Sequence, residues 1–297
     1  ADSMATPFEY KFIILKKDTR EVKGWEYTNN RVYGIKCESA AEHVVIDGLR
    51  FANPKENWKG AGTAIPVFSI RTENDFGVGD FMDIKKMVDW CALTGQKILQ
   101  ILPINDTTMT GTWVDSYPYK ANSIFALHPM FLNLWEVGTL KDEKRRDYYY
   151  NLARDLNALP VIDYERVNAG KQEYLREIFA EQGSVTRQRK EYKEFVSRNE
   201  YWLKPYAAWC VLREIYQTPD NNCWGEFARY DVEKLEKLSI EFKDRFDFHY
   251  YVQYHLDRQL HDARDYAHSH GVVLKGDIPI GISRFSADAW VSPELFN

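Results

Sequence analysis

The sequence predicts an α/β protein with a short β-rich start, a βαβ unit and a long helix-rich stretch, which periodicity alone would equally allow to be a separate helical domain. Three observations carry this. Apolar runs at residues 64–70 and 97–104 flank Phe81, Ile84, Val88 and Cys91, which recur at helical spacing. A buried strand, an amphipathic helix and a second buried strand make a parallel pair joined by a crossover. Residues 7–51 alternate as short strands, whereas 139–248 are charged and helix-rich.

In chain order, residues 8–15 form a first strand, 16–19 a polar turn, 22–27 a second strand and Asn29-Asn30 a second turn. Asn53-Pro54-Lys55-Glu56-Asn57 is a linker. After the strand at 64–70 comes a Gly-containing loop, 72–79. Asp80 stands at the helix N-cap and Gly95 at its C-cap. The helix-rich stretch is expected to hold helices at 152–156, 171–179 and 206–215, interrupted by Gly170, Gly183 and Pro219-Asp220-Asn221-Asn222. The charge run 141–147 reads as a solvated helix face. Val252, Leu256, Leu260, Ala263 and Ala267 form one stripe of a helix ending at Gly271, ahead of Val272-Val273-Leu274.

Composition narrows the function classes. The net charge is −5 with no Lys/Arg-rich tract, which argues against a nucleic-acid surface built on phosphate contacts. No apolar run reaches the roughly 18 residues a membrane span needs, and the first residues lack a signal peptide's charged start and apolar stretch, so a cytoplasmic location is expected. Cys37, Cys91, Cys210 and Cys223 show no CxxC spacing, so no zinc site is expected, and Cys91 reads as a small buried hydrophobe. His249, His255, His261, His268 and His270 place no pair at i, i+4, so they read as solvated and no metal is expected. No cofactor is expected either.

The chemistry concentrates in Trp113-Val114-Asp115-Ser116-Tyr117-Pro118-Tyr119, followed by Ser123-Ile124-Phe125-Ala126-Leu127-His128-Pro129. A pyranose offers an apolar C–H face and a rim of hydroxyls. Tyrosine rings can stack on the first and donate to the second. A tyrosine-lined loop that merely packs on the core is the competing reading.

This segment resembles the one after the second barrel strand of glycoside hydrolase family 77, the 4-α-glucanotransferases. Three further blocks agree in order: Pro66-Val67-Phe68-Ser69-Ile70-Arg71 with Gly77-Val78-Gly79-Asp80-Phe81; Leu102-Pro103-Ile104-Asn105-Asp106-Thr107; and Gly276-Asp277-Ile278-Pro279-Ile280-Gly281 with Ser286-Ala287-Asp288-Ala289-Trp290. The resemblance implies that residues 60–297 are the N-terminal part of a (β/α)8 TIM barrel with a helical insertion at about 139–248. It implies that Arg71, Asn105, Asp106 and Asp277 sit at strand ends facing the site, where such barrels keep their chemistry. It further implies that Asp277 and Tyr119 hold the sugar next to the cleaved bond and that Asp115 and Tyr117 shape the loop. From its Gly-Asp-x-Pro setting, a helix or turn cap after the strand is the competing reading for Asp277.

Tyr10-Lys11-Phe12 with Trp25-Glu26-Tyr27-Thr28-Asn29-Asn30-Arg31 resembles the C-terminal part of a starch-binding β-sandwich, carbohydrate-binding module family 20. Residues 1–52 are then expected to be part of such a module, with Lys11, Trp25, Glu26 and Asn30 forming a glucan site. A plain hairpin with Trp25 in its core is the alternative.

Retaining glycoside chemistry needs two carboxylates about 5–5.5 Å apart. The family resemblance places the nucleophile Asp and acid/base Glu beyond Asn297, so no residue of this chain is expected to be catalytic. The function expected of the whole protein is transfer of α-1,4-glucan segments to the 4-hydroxyl of an acceptor. Its expected partners are maltose, malto-oligosaccharides, starch or glycogen. Two other readings are a non-catalytic α-glucan-binding protein and an amylase-type hydrolase. Amylases carry an Asn-His pair after the strand-three Asp, and this chain has Ser283-Arg284 and Ser286 instead.

Overall fold

Apolar segments separated by turn residues build two compact units in this computed structural model, residues 1–59 and 60–297, each described by itself. Residues 8–33, 50–51 and 59–296 are described. Cys37 and the linker expected at 53–57 lie outside them.

In the first unit, β1 (Phe8–Tyr10) pairs antiparallel with β4 (Arg31–Tyr33), and β2 (Ile13–Leu15) with β3 (Val22–Trp25). The single strand expected over 8–15 is broken at Lys11-Phe12, where the Phe12 carbonyl accepts the Glu26 N–H at 3.0 Å. Glu26 is 1% exposed, and the Arg31 guanidinium grips both its carboxylate oxygens. A buried carboxylate requires such a partner, so the Glu26–Arg31 pair ties β3 to β4.

The second unit runs β5 (Gly62–Ile65), α1 (Asp83–Leu93), β6 (Ile98–Ile101), β7 (Lys120–Ala121), α2 (Glu143–Asn157), α3 (Tyr164–Thr186) and α4 (Lys190–Tyr216). It continues with α5 (Val232–Glu241), α6 (Lys243–Ser269), β8 (Val273–Lys275), β9 (Gly281–Ile282) and α7 (Ala287–Val291). Strands β5, β6 and β8 form a parallel sheet in that order, with Gly62 opposite Ile98 and Ile98 opposite Val273. Both strands of the βαβ unit are shorter than the apolar runs suggest. Pro66 has no N–H to continue the ladder and Val67–Ser69 tighten into a 3₁₀ turn; Pro103 follows soon after β6. Asp80 is not the helix N-cap. Its carboxylate accepts the Met82 N–H at 2.9 Å, the Asp83 carboxylate accepts the Asp80 N–H at 2.8 Å, and α1 starts at Asp83. Gly95 (φ 75°) and Gly271 (φ 68°) follow the ends of α1 and α6 in the left-handed conformation that glycine adopts without strain.

Val252, Leu256, Ala263 and Ala267 are buried along one stripe of α6, in one core with Leu99, Ile101 and Cys91. The expected breaks at Gly170 and Gly183 do not occur, since both lie inside α3. A Cβ at Gly170 would stand 2.9 Å from the Phe76 ring, so close packing accounts for the glycine. The run 141–147 is no simple solvated face: Asp142 caps α2, and Arg145 pairs with Glu173 and Glu177 on α3. Helix α6 straddles position 248. His255 on that helix is buried between Tyr251 and Tyr254, not solvated, and burial pushes its imidazole down to about 3.

Candidate sugar-binding site

Two loops meet beyond the parallel sheet. Strand β7, on the long connection after β6, pairs in parallel with β9, on the connection after β8; Lys120 faces Gly281 and Ala121 faces Ile282. The Ser283 N–H extends this ladder to the Ala121 carbonyl at 2.9 Å. Tyr119 directly precedes β7 and Asp277 lies shortly before β9, so the pairing brings them together. The Tyr119 hydroxyl donates to Asp277 Oδ2 at 2.8 Å. That bond raises the phenol pKa above its ordinary value, helped by slight desolvation, so the hydroxyl stays a donor through the neutral range. The other carboxylate oxygen accepts the Ile278 N–H at 3.0 Å. The Tyr117 ring lies 5.7 Å from that of Tyr119 and is 61% exposed. Two aromatic faces and a carboxylate thus converge on one edge.

Asp115 does not face this edge openly. It is buried, and Oδ2 accepts the N–H groups of Met109, Thr110 and Gly111 at 3.0, 2.8 and 2.7 Å. Its role is to fold the loop that carries the tyrosines. A cavity of about 280 Å³ opens beside it, with Tyr117, Lys120 and Ser283 in its wall.

Asn105 and Asp106 also act from behind. The Asn105 amide donates to the carbonyls of Ser123 and Ile124 at 3.2 and 2.8 Å. Asp106 accepts from the Tyr206 hydroxyl at 2.8 Å and from the Thr108 N–H at 2.9 Å. Burial alone would raise the Asp106 pKa, but His128, Arg213 and the Thr108 bonds bring it below the usual carboxylate value. His128 Nδ1 accepts the Met130 N–H, so Nε2 carries the proton toward Tyr164, and burial lowers the pKa of the ring. Arg71 departs from its expected place: it caps the end of α2 by donating to the carbonyls of Leu159 and Asn157 at 3.0 and 2.8 Å.

Three contributors escaped sequence reasoning. Asp288, in the first turn of α7, accepts the Ile124 N–H at 2.7 Å and anchors the loop after β7. Gly281 passes so close to the chain that a Cβ would lie 2.9 Å from the Tyr119 carbonyl oxygen. Arg213 donates to the Thr108 carbonyl and lies 4.8 Å from the Trp209 ring. Ser286-Ala287-Asp288 carries a legible N-cap, Ser286, but the reach of Asp288 across 164 positions leaves no local signal.

In the first unit, Trp25 is 65% exposed on β3 and Tyr27 70%. Lys11 is half-buried just before β2, whose Ile13 pairs with Trp25. Asn30 is exposed and donates to Glu9 at 2.7 Å. Glu26, held by Arg31, supports the strands from within. Among the described residues, no group of three His, Cys, Asp or Glu is placed to hold a metal ion, and no helix is long and apolar enough to cross a membrane.

The parallel strands and their crossover helices define an α/β protein whose connections beyond the strands meet in a tyrosine–carboxylate pair. The family model for 4-alpha-glucanotransferase, glycoside hydrolase family 77, matches residues 65–297. The chain is 41% identical over 296 residues to the 4-alpha-glucanotransferase DPE2 of Oryza sativa subsp. japonica, covering 98% of this chain and 31% of that protein. It is 31% identical over 250 residues to the 4-alpha-glucanotransferase of Chlamydia caviae, covering 82% of this chain and 46% of that one. Its fold is similar to that of the amylomaltase from Streptococcus agalactiae in complex with acarbose, with a TM-score of 0.66 at 24% identity over 80% of this chain and 47% of that one. This chain belongs to the 4-alpha-glucanotransferase family, glycoside hydrolase family 77, and spans under half the length of these relatives.

Proposed function

We propose that the whole protein is a 4-α-glucanotransferase that moves α-1,4-glucan segments from a donor to the 4-hydroxyl of an acceptor by retaining double displacement. Residues 60–297 supply the first portion of its (β/α)8 barrel, with 139–248 as the helical insertion. The observation that carries the reading is the Tyr119–Asp277 hydrogen bond where two neighbouring strand connections meet, in a chain of this family. A sugar entering there stacks on the Tyr119 ring, and its hydroxyls take over the Asp277 carboxylate. Tyr117 widens the platform, and Asp115 holds the loop. No carboxylate of this chain is assigned as nucleophile or acid/base; those are proposed to lie outside residues 1–297. The exposed Trp25, with Lys11 and Asn30 nearby and Glu26 as support, is proposed as a starch-binding platform on residues 1–52, part of a β-sandwich module. Maltose, malto-oligosaccharides, starch or glycogen are the proposed substrates, and the cytoplasm the proposed location.

The test is to incubate the full-length protein with maltotriose and chromatograph the products. Glucose appearing together with longer oligomers supports transfer. Glucose and maltose without longer products would make the protein a hydrolase, and no change at all would leave a binding protein.

A further inference from the structure

A groove of about 1060 Å³ runs between one face of α2 and the loop after β5, and it shares no lining residue with the cavity beside Asp115. On α2, Tyr150, Arg154, Asn157 and Ala158 recur at helical spacing and so line the groove from one face. The facing loop is held stiffly. Asn157 accepts the Gly77 N–H at 2.9 Å and donates to the carbonyls of Thr72 and Asp75, both at 3.2 Å. The buried Asp75 carboxylate accepts the Thr72 and Gly77 N–H groups at 2.8 and 3.1 Å.

Two features of the lining go beyond what the fold needs. The first is a braced aromatic surface. The Tyr150 ring stacks on Trp135 with centroids 4.6 Å apart at 28°, yet remains 51% exposed. Trp135 is itself fixed, its Nε1 donating to the Asn74 carbonyl at 3.0 Å and the Tyr174 ring lying edge-on at 5.7 Å. A ring held this way loses little freedom when a second flat group stacks on it. The second is uncompensated positive charge. Lys86 and Arg154 are exposed and form no ion pair among the described residues, and Arg71 donates only to neutral carbonyls. These three cations face Asp75, engaged by its own loop, and the exposed Glu73. The groove is thus locally positive in a chain of net charge −5. Arg154 lies one helical turn, about 6 Å of axial rise, from Tyr150.

We infer that this groove binds a nucleotide, its base stacked on Tyr150 and its phosphates held by Arg154 and Lys86. One helical turn matches the reach from a base to a phosphate across a ribose. Stacking on an aromatic ring is open to any base, and guanidinium and ammonium groups bind phosphate oxygens through charge-assisted hydrogen bonds. The free Glu73 carboxylate is an acceptor suited to the ribose hydroxyls. Arg154 belongs to α2 and Lys86 to α1, so the phosphates join the two helices.

The test titrates ADP, pyrophosphate and adenosine separately into the full-length protein by calorimetry, with amide hydrogen exchange followed over residues 71–77 and 150–158. ADP binds more tightly than either fragment, slows exchange in both segments and binds less tightly as salt is added. The Lys86→Gln/Arg154→Gln pair raises the Kd for ADP at least about tenfold, and so does Tyr150→Leu, which keeps the bulk and loses the flat face. Binding persists in Tyr119→Ala. Should Tyr150→Leu melt early, the Lys86→Gln/Arg154→Gln pair, both exposed, carries the expectation by itself. Absence of ADP binding would overturn the site. Pyrophosphate binding as tightly as ADP would remove the base from recognition, and adenosine doing so would remove the phosphates; either overturns the nucleotide. ADP binding lost in Tyr119→Ala but kept in the groove variants would place the ligand at the sugar platform and overturn the inference.

Discussion

The Tyr119 hydroxyl and the Asp277 carboxylate are 158 residues apart in sequence and 2.8 Å apart in space. Neither lies on a long element. The two-residue ladder between β7 and β9 holds them in register, and Asp288 and Asn105 pin the chain after β7. The geometry of the pair is therefore a property of the loops' packing.

Gly281→Ala tests that dependence. The added Cβ meets the Tyr119 carbonyl oxygen at 2.9 Å, so β7 and β9 must separate. Overpacking of this kind costs about 1–3 kcal/mol. A lower melting temperature together with a reduced transfer rate in the full-length protein is expected; a variant indistinguishable from wild type would show that the ladder does not set the pair.

Asp115→Ala leaves the N–H groups of Met109, Thr110 and Gly111 without their acceptor. Each unsatisfied buried donor costs about 1–3 kcal/mol, though a loop can recover part of this from water. Stability should fall by about 2 kcal/mol in urea titration, with faster hydrogen exchange over 108–112. Unaltered exchange there would remove Asp115 from the role of loop organiser.

Glu214 gives a pH signature. Burial opposes its charge, but His249, Arg176 and Arg213 hold it at about 2, below the ordinary 4.5. A depressed carboxyl contributes stability that is fully present above pH 4.5 and lost as pH falls toward 2. The stability gap between wild type and Glu214→Gln should be present above pH 4.5, on the order of 3 kcal/mol at most, and narrow as pH falls below it. Urea titrations at several pH values measure it, and a gap independent of pH would contradict the pairing.

Trp25→Ala should weaken binding to starch or β-cyclodextrin and leave the melting temperature nearly unchanged, because the ring is 65% exposed. A loss of several kcal/mol of stability, as buried aromatic truncations cause, would instead assign Trp25 to the core.

Much of this was legible in the chain. The periodicity of Phe81, Ile84, Val88 and Cys91 found α1, and the α6 stripe was readable because burial repeats with the helix period. Strand ends were overextended because apolar character continues past Pro66 and toward Pro103, while ladder bonding stops. Gly170 misled because a glycine chosen for contact with Phe76 spells the same as a helix breaker. Arg71 and Asp288 were opaque for another reason: each bonds across more than 80 positions, and no local pattern encodes such a partner. The tyrosine motif was visible as a motif, whereas its meeting with Asp277 depends on strand pairing that spacing does not reveal.

The most direct measurement is the initial transfer rate against donor concentration in the full-length protein carrying Tyr119→Ala or Asp277→Asn. If the pair grips the sugar undergoing reaction, its contacts strengthen in the transition state. Then kcat and kcat/KM fall together, by on the order of a hundredfold. An unchanged kcat with only a raised KM would contradict the account and move both residues to a remote binding surface.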